Sequence, residues 1–203
     1  MIDKRRRQQP KPSADADAGE IESLYQELLR AFYQAGDRRR ARSVAKQLEK
    51  ALASHSEWNG SIRFHEIQSL MAELRGDWRE AIEHRHVEIR RILELHCLTR
   101  TTPSWEFVER QYGANDVSDR LDLLAILYDN AGDLERAIET LHESRQYCEA
   151  QQISFDGQDL LDEFEAMQKK TTNGSSAAAA KRLADSNRAR YRKAKSGGAR
   201  ITR

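Results

Sequence analysis

The stretch from Leu121 to Leu141 reads LDLLAILYDNAGDLERAIETL and carries the clearest folding signal in this 203-residue chain. Apolar residues recur at steps of three and four on both sides of Gly132-Asp133, which is the spacing of one apolar helix face. A glycine in a left-handed conformation ends one helix, and the aspartate after it caps the next. The stretch therefore predicts a hairpin of two helices.

The same short unit occurs three times along the chain. A Gly-Asp pair is followed after three further residues by an alanine in each copy: Gly36-Asp37 with Ala41, Gly76-Asp77 with Ala81, and Gly132-Asp133 with Ala137. The small alanine side chain lets two helices cross closely. Three copies predict three helical hairpins.

The chain contains only three prolines, which lets long helices run uninterrupted. We predict an all-α domain over residues 20–170, with hairpins over about 20–54, 61–96 and 118–150, a connection over 97–117 and a capping helix over about 157–169. The basic, polar arm 1–19 and the basic tail 171–203 lack apolar periodicity and are predicted to be disordered.

The net charge of +1 conceals an uneven distribution. Residues 171–203 carry nine Lys and Arg against one Asp, whereas residues 20–170 carry 20 basic and 29 acidic side chains. Cys97 and Cys148 show no metal-binding or redox spacing, and no apolar run is long enough to span a membrane. These features predict a cytoplasmic protein with no membrane association.

The pattern of large and small residues in the third hairpin resembles the tetratricopeptide repeat, a unit of about 34 residues whose two antiparallel helices stack into a right-handed superhelix. The positions that carry the resemblance are Leu121, Leu124, Ala125, Tyr128, Ala137, Leu141 and Ser144. The first hairpin matches through Tyr25, Leu28, Phe32, Gly36, Ala41 and Ala45. The alternative is a generic helical bundle, which has the same helix periodicity.

The second hairpin departs from the repeat pattern. Gln68, Arg85 and Glu88 occupy positions where the family buries apolar or small side chains. Two explanations are open: the second helix is rotated, or the hairpin is irregular.

The resemblance implies a binding function, because in this family the first helix of each hairpin lines a concave groove. The corresponding partner-binding residues are Glu66, Leu70, Glu73, Asp119, Asp122, Ile126, Asp129 and Asn130. An acidic groove with apolar positions favours a basic or amphipathic protein segment. We therefore expect a non-catalytic scaffold or adaptor; the alternative is that these carboxylates only solvate an exposed face.

The basic tail supports a second hypothesis, a nucleic-acid or ribosome-associated protein. The residues that would contact phosphates, with one tyrosine for stacking, are Lys181, Arg182, Arg188, Arg190, Tyr191, Arg192, Lys193 and Lys195. Two further alternatives are a solvated end and a tail that folds back onto the acidic groove.

The sequence lacks the motifs of common enzymes and metal sites. It contains no phosphate-binding glycine loop, nucleophile elbow or metalloprotease signature, so we predict no enzymatic activity and no cofactor. His84 and His86 lie two residues apart and cannot share an ion on one helix face, and His84 with Glu88 supplies only two ligands. We predict surface histidines and no metal.

Overall fold

The computed structural model describes the backbone of residues 14–55, 58–99 and 114–172, and the side chains of 19–55, 58–95 and 114–171. The chain divides into two compact units, residues 1–57 and 58–203, each described here by itself. The basic tail, and most of the N-terminal arm, lie outside the described residues.

The first unit contains one helical hairpin. Helix α1 (Ala14–Leu29) continues into a π-helical turn (Arg30–Gln34), and helix α2 (Arg38–Ser54) packs back against both. In the π-helical turn, the amide of Ala35 donates to the carbonyl of Arg30 over 2.9 Å. Helix α2 ends at Ser54, where the first hairpin is predicted to end.

Helix α1 begins earlier than predicted, because residues 14–19 belong to the helix rather than to the arm. This segment alternates alanine with aspartate. Alanine has the highest helix propensity, and aspartate interacts favourably with the positive end of the helix dipole. Local helix preference therefore forms this turn without the apolar periodicity on which the prediction depended.

The second unit contains five described helices: α3 (Ile62–Arg75), α4 (Trp78–Thr99), α5 (Ala114–Ala131), α6 (Leu134–Gln151) and α7 (Gln158–Thr172). Each packs against the next along the chain. Helix α4 extends three residues into the predicted connection, and α5 begins four residues before the predicted hairpin. Residues 100–113 of the predicted connection lie outside the described residues.

The three Gly-Asp turns have the predicted geometry. Gly36, Gly76 and Gly132 have φ angles of +64°, +83° and +87°, in the left-handed region that favours glycine. The aspartate side chains accept hydrogen bonds from the third residue beyond: Asp37 from the Arg40 amide at 2.9 Å, Asp77 from Glu80 at 3.1 Å and Asp133 from Arg136 at 3.2 Å. Ala41, Ala81 and Ala137 are fully buried, as close packing of the paired helices requires.

The core of the second unit joins α5, α6 and α7. Leu121 and Leu124 of α5 pack with Leu141 of α6 and with Leu161 and Phe164 of α7 in one buried cluster. Helix α7 therefore covers the last hairpin with an apolar face, as predicted for a capping helix. A smaller cluster of Ala72, Ala81 and Leu127 lies where the second and third hairpins meet.

The described part of the chain is all α-helical, which confirms the predicted fold class. None of its helices combines the length and apolar character that crossing a membrane requires.

Candidate functional site

The acidic face of α5, defined as Asp119, Asp122, Ile126, Asp129 and Asn130, contains five of the eight predicted partner-binding residues. Their spacing of three and four residues places them on one side of the helix. Asp119 is exposed and the other four are partly exposed. The Asn130 side-chain amide donates to the Ile126 carbonyl at 2.8 Å, which holds it against its own helix.

The three partner-binding residues predicted on α3 differ in exposure. Glu73 is partly exposed, but Glu66 and Leu70 are buried, with exposed fractions of 7% and 2%. Oε2 of Glu66 lies 2.5 Å from Nη1 of Arg63, and its Oε1 lies 3.5 Å from Nη2 of Arg120 on α5. The prediction that Glu66 and Leu70 are presented to a partner is therefore wrong. The carboxylate of Glu66 instead forms ion pairs with Arg63 and Arg120 inside the unit.

Glu66 belongs to a buried charge cluster with Arg85, Glu88, Asp116 and Arg120. Arg85 and Glu88 form an ion pair within α4, and Nε of Arg120 lies 3.0 Å from the other oxygen of Glu88. Nη1 of Arg120 lies 3.3 Å from Oδ1 of Asp116. The cluster connects α3, α4 and α5 through charge-assisted hydrogen bonds.

Burial and charge act against each other in this cluster. Burial raises the pKa of Glu88, while Arg85 and Arg120 oppose the shift by stabilising the carboxylate. Burial also disfavours the charge of Arg120, but Glu66 and Glu88 outweigh that effect and raise its pKa. Glu66, Glu88 and Arg120 thus depend on partners from another helix.

The cluster resolves the departure of the second hairpin from the repeat pattern. Arg85 and Glu88 are 2% and 0% exposed, so they occupy buried positions as the pattern requires. Helices α3 and α4 are continuous and joined by a regular turn. Neither a rotated helix nor an irregular hairpin explains the departure; charged residues simply occupy the interior as ion pairs.

Asp122 is connected to a chain of polar side chains between α5 and α6. Ser144 donates to Oδ1 of Asp122 at 2.9 Å, the Ser118 and Ser144 hydroxyls lie 3.2 Å apart, and the Cys148 thiol donates to Ser118 at 3.1 Å. Cys148 is a free thiol, and both it and Ser144 are fully buried. The hydroxyls and the thiol therefore satisfy one another inside the unit.

Asp122 also has unusual electrostatics. Burial, together with the nearby carboxylates of Asp119 and Asp156, raises its pKa to about 6, although the hydrogen bond from Ser144 opposes the shift. The loop before α7 lies close by: a β-carbon at Gly157 would be 3.1 Å from Oδ1 of Asp122. The acidic face therefore has a partly desolvated carboxylate at its centre.

The histidines of α4 contact other helices, although His86 is exposed, as predicted, and His84 is partly exposed. Nδ1 of His84 lies 3.0 Å from Nδ1 of His65 on α3, and Nε2 of His86 lies 2.8 Å from the hydroxyl of Tyr128 on α5. Burial lowers the pKa of all three imidazoles. Among the described residues, no group of three or more His, Cys, Asp or Glu is arranged to hold a metal ion.

Sequence reasoning identified Asp119, Asp122 and Asp129 on α5 but missed the interior residues that surround them. Arg120 has no signal in its own segment, because its partner Glu88 is 32 residues away. The sequence did contain one signal of a charged interior: Arg85 and Glu88 occupy positions where the repeat pattern buries apolar or small side chains. The eight tail residues predicted to bind nucleic acid lie outside the described part of the chain.

Comparison with protein families, curated proteins and solved structures found no match. The tetratricopeptide resemblance therefore stays a prediction made from the residues of the chain.

Proposed function

We propose that this protein is a non-catalytic adaptor that binds a basic or amphipathic protein segment on the acidic face of α5. The observation that carries the proposal is the charge of residues 114–171, where five Lys and Arg stand against fourteen Asp and Glu, a net charge of −9. Coulomb attraction to such a surface speeds the encounter with a basic segment. The partly exposed Ile126 adds an apolar contact to the four polar residues around it.

The raised pKa of Asp122 supports the same proposal. Its neighbours Asp119 and Asp156 increase the cost of its negative charge. A bound lysine or arginine would relieve that repulsion, so binding of a cation here is coupled to the ionisation of Asp122. Recognition of a basic segment is thus expected to strengthen as the pH rises through about 6.

The non-catalytic part of the proposal is supported by the burial of the side chains that could act as nucleophiles beside Asp122. Ser144 and Cys148 have no exposed surface. A cytoplasmic location remains part of the proposal, and the free thiol of Cys148 fits a reducing compartment.

Fluorescence anisotropy tests the proposal with a labelled amphipathic peptide of lysine and leucine. An acidic peptide of equal length serves as the comparison. The double variant Asp119→Lys, Asp129→Lys is expected to weaken binding of the basic peptide at least about tenfold, because like charges then face each other. The matched control Glu135→Lys, Glu139→Lys changes two exposed residues of α6 by the same charge.

The control variant is expected to bind within about threefold of the wild type, since its charges are partly screened at physiological salt. Equal losses in both variants would reduce the interaction to net charge alone, and unchanged binding by the α5 variant would exclude the acidic face of α5 as the site. Circular dichroism verifies that both variants remain helical.

A further inference from the structure

Helix α2 has an exposed basic face formed by Arg38, Arg39, Arg42, Lys46 and Lys50. With 3.6 residues per turn, these five residues fall within an arc of about 120° and extend along about 18 Å of the helix. The apolar residues of α2, among them Val44 and Leu48, are buried on the other side. The basic face of α2 is therefore a continuous stripe.

The stripe retains its positive charge within the described structure. Helix α2 contains six Lys and Arg and a single acidic residue, Glu49, which lies within the same arc. Arg40, outside the stripe, pairs with Glu27 of α1 at 2.9 Å. No ion pair joins the five side chains of the stripe to a described residue. Four net positive charges are therefore available to an anionic ligand.

The composition of the stripe favours a polyanion over a protein partner. Specific protein interfaces are built around a buried apolar or aromatic centre from which charged residues are depleted. Among the described residues, Leu93 on α4 is the exposed large apolar side chain. Helix α2 has no exposed large apolar side chain beside its cations. Phosphate binding needs no apolar centre, because its free energy comes from charge neutralisation and counterion release.

The shape of the stripe favours double-helical DNA among polyanions. Proteins bind single strands largely by stacking bases on aromatic side chains, and α2 contains no Phe, Tyr or Trp. The major groove of B-DNA admits an α-helix, whereas that of A-form RNA is too narrow. A stripe of about 18 Å equals the axial length of about five base-pair steps of B-DNA, in which each strand carries one phosphate per about 3.4 Å of axis.

We propose that the basic face of α2 binds the phosphate backbone of duplex DNA. The contact is made by guanidinium and ammonium groups and does not read the base sequence, since α2 presents its cations to phosphates rather than to base edges. The basic face of α2 and the acidic face of α5 consist of different residues, so either proposal can fail without the other.

The test uses the full chain and a labelled DNA duplex of about 20 base pairs, with binding followed by anisotropy between about 50 and 200 mM salt. The α2 variant is Arg38→Gln, Arg42→Gln, Lys46→Gln, Lys50→Gln, in which glutamine retains helix propensity. The matched control removes four charges from the tail: Arg188→Gln, Arg190→Gln, Arg192→Gln, Lys193→Gln. Circular dichroism and thermal unfolding confirm that each variant folds.

The α2 variant is expected to lose at least about tenfold in affinity at low salt. Its plot of log affinity against log salt is expected to be shallower by about 3.6, because four phosphate contacts are lost and each contributes about 0.9. The tail control is expected to retain the part of the affinity and of the salt dependence that the stripe contributes.

Unchanged affinity and slope in the α2 variant would overturn the proposal, as would a loss confined to the tail variant or no duplex binding at about 50 mM salt. Tighter α2-dependent binding of single-stranded RNA or of an RNA duplex would overturn the choice of DNA. If the variant instead abolishes self-association in sedimentation experiments and leaves DNA binding intact, the stripe contacts an acidic protein surface and the proposal is wrong.

Discussion

Nε of Arg120 on α5 lies 3.0 Å from Oε1 of Glu88 on α4, and the two side chains are 14% and 0% exposed. The same guanidinium faces Glu66 at 3.5 Å and Asp116 at 3.3 Å. One arginine thus compensates carboxylates from three helices, of which Glu66 and Glu88 are buried and Asp116 is partly exposed. Loss of a single partner in such a site leaves the remaining charges buried and uncompensated.

Replacing Arg120 by methionine is therefore expected to destabilise the protein by about 3–5 kcal/mol, because Glu66 and Glu88 would repel each other in the interior. The free energy of unfolding in urea measures this effect. Replacing Arg85, Glu88 and Arg120 together by methionine, leucine and methionine is expected to recover most of the loss, since packed apolar side chains carry no desolvation cost.

Arg79→Met on the exposed face of α4 is the control for this experiment. Arg79 pairs with Glu83 at 3.1 Å, but both side chains are largely exposed and the pair contributes little. If Arg120→Met changed stability no more than Arg79→Met, the cluster would not stabilise the fold.

Asp122 makes stability depend on pH in the direction opposite to that of an ordinary buried ion pair. The unfolded chain loses this proton near the ordinary pKa of 3.8, whereas the folded protein retains it up to about 6. Since the folded state binds more protons between these values, stability falls as the pH rises from about 4 to 6. Asp122→Asn is expected to remove this slope and to be more stable than the wild type at pH 7, by about 1–3 kcal/mol.

Urea unfolding of wild type and variant at intervals from pH 4 to 8 measures the difference. The exposed Asp159→Asn on α7 serves as the control. A stability difference between Asp122→Asn and the wild type that stays constant over this range would show that Asp122 does not titrate abnormally.

The contact between His65 and His84 has the opposite pH dependence. Burial lowers both pKa values below the ordinary 6.5; His84 adds to the shift at His65, whereas Glu80 and Glu83 oppose the shift at His84. The unfolded chain then binds protons that the folded one excludes, so stability is lost as the pH falls below about 6.5. His84→Gln, in which an amide can still contact His65, is expected to make the slope between about pH 5 and 6.5 shallower. Amide exchange or urea unfolding across this pH range measures the slope. A slope in the variant equal to that of the wild type would show that the contact does not contribute to the pH dependence of stability.

Two residues with left-handed backbone, Gly132 and Gln152, allow a paired test of helix termination. Gln152 ends α6 with a φ angle of +57°, a conformation that costs a residue with a side chain about 1 kcal/mol. Gln152→Gly is expected to stabilise the protein by up to about 1 kcal/mol, and Gly132→Ala to destabilise it by about 1 kcal/mol, although nothing lies within 4 Å of the added methyl. Thermal unfolding measures both, and a stabilising Gly132→Ala would contradict the backbone explanation.

Gly157 is constrained by a lack of space for a side chain rather than by a left-handed backbone. A β-carbon there would lie 2.7 Å from the ring of Phe155 and 3.1 Å from Oδ1 of Asp122. Gly157→Ala is expected to destabilise by about 1–3 kcal/mol through overpacking. The double variant Gly157→Ala, Phe155→Leu should recover part of the loss, and failure to do so would locate the strain at Asp122.

The sequence predicted those features that depend on neighbouring residues. Each Gly-Asp turn is closed by atoms within six residues of one another, so its caps and left-handed glycines followed from spacing alone. The helix start at Ala14 was missed because helix propensity, rather than apolar periodicity, extends α1 to that residue. Local signals therefore identified the hairpins and their order.

The interior of the second unit could not be predicted in the same way. Arg85, Glu88 and Arg120 resemble solvated charges in sequence, and only the packing of α4 against α5 brings them together. Glu66 was assigned to a binding surface for the same reason. Ser144 and Asp122 lie 22 residues apart, so the hydrogen bond between them has no local signature.

The Gly-Asp turn and the buried charge cluster have different consequences for how such a chain can evolve by duplication. A copied hairpin would retain its turn, because every atom that closes the turn is copied with it. The cluster is divided between two hairpins, with Glu66 and Glu88 in one and Arg120 in the other. A hairpin inserted between them would separate acids from their base and bury unbalanced charge. Duplication of the second or third hairpin alone would therefore divide the cluster, whereas duplication of the two together would preserve it.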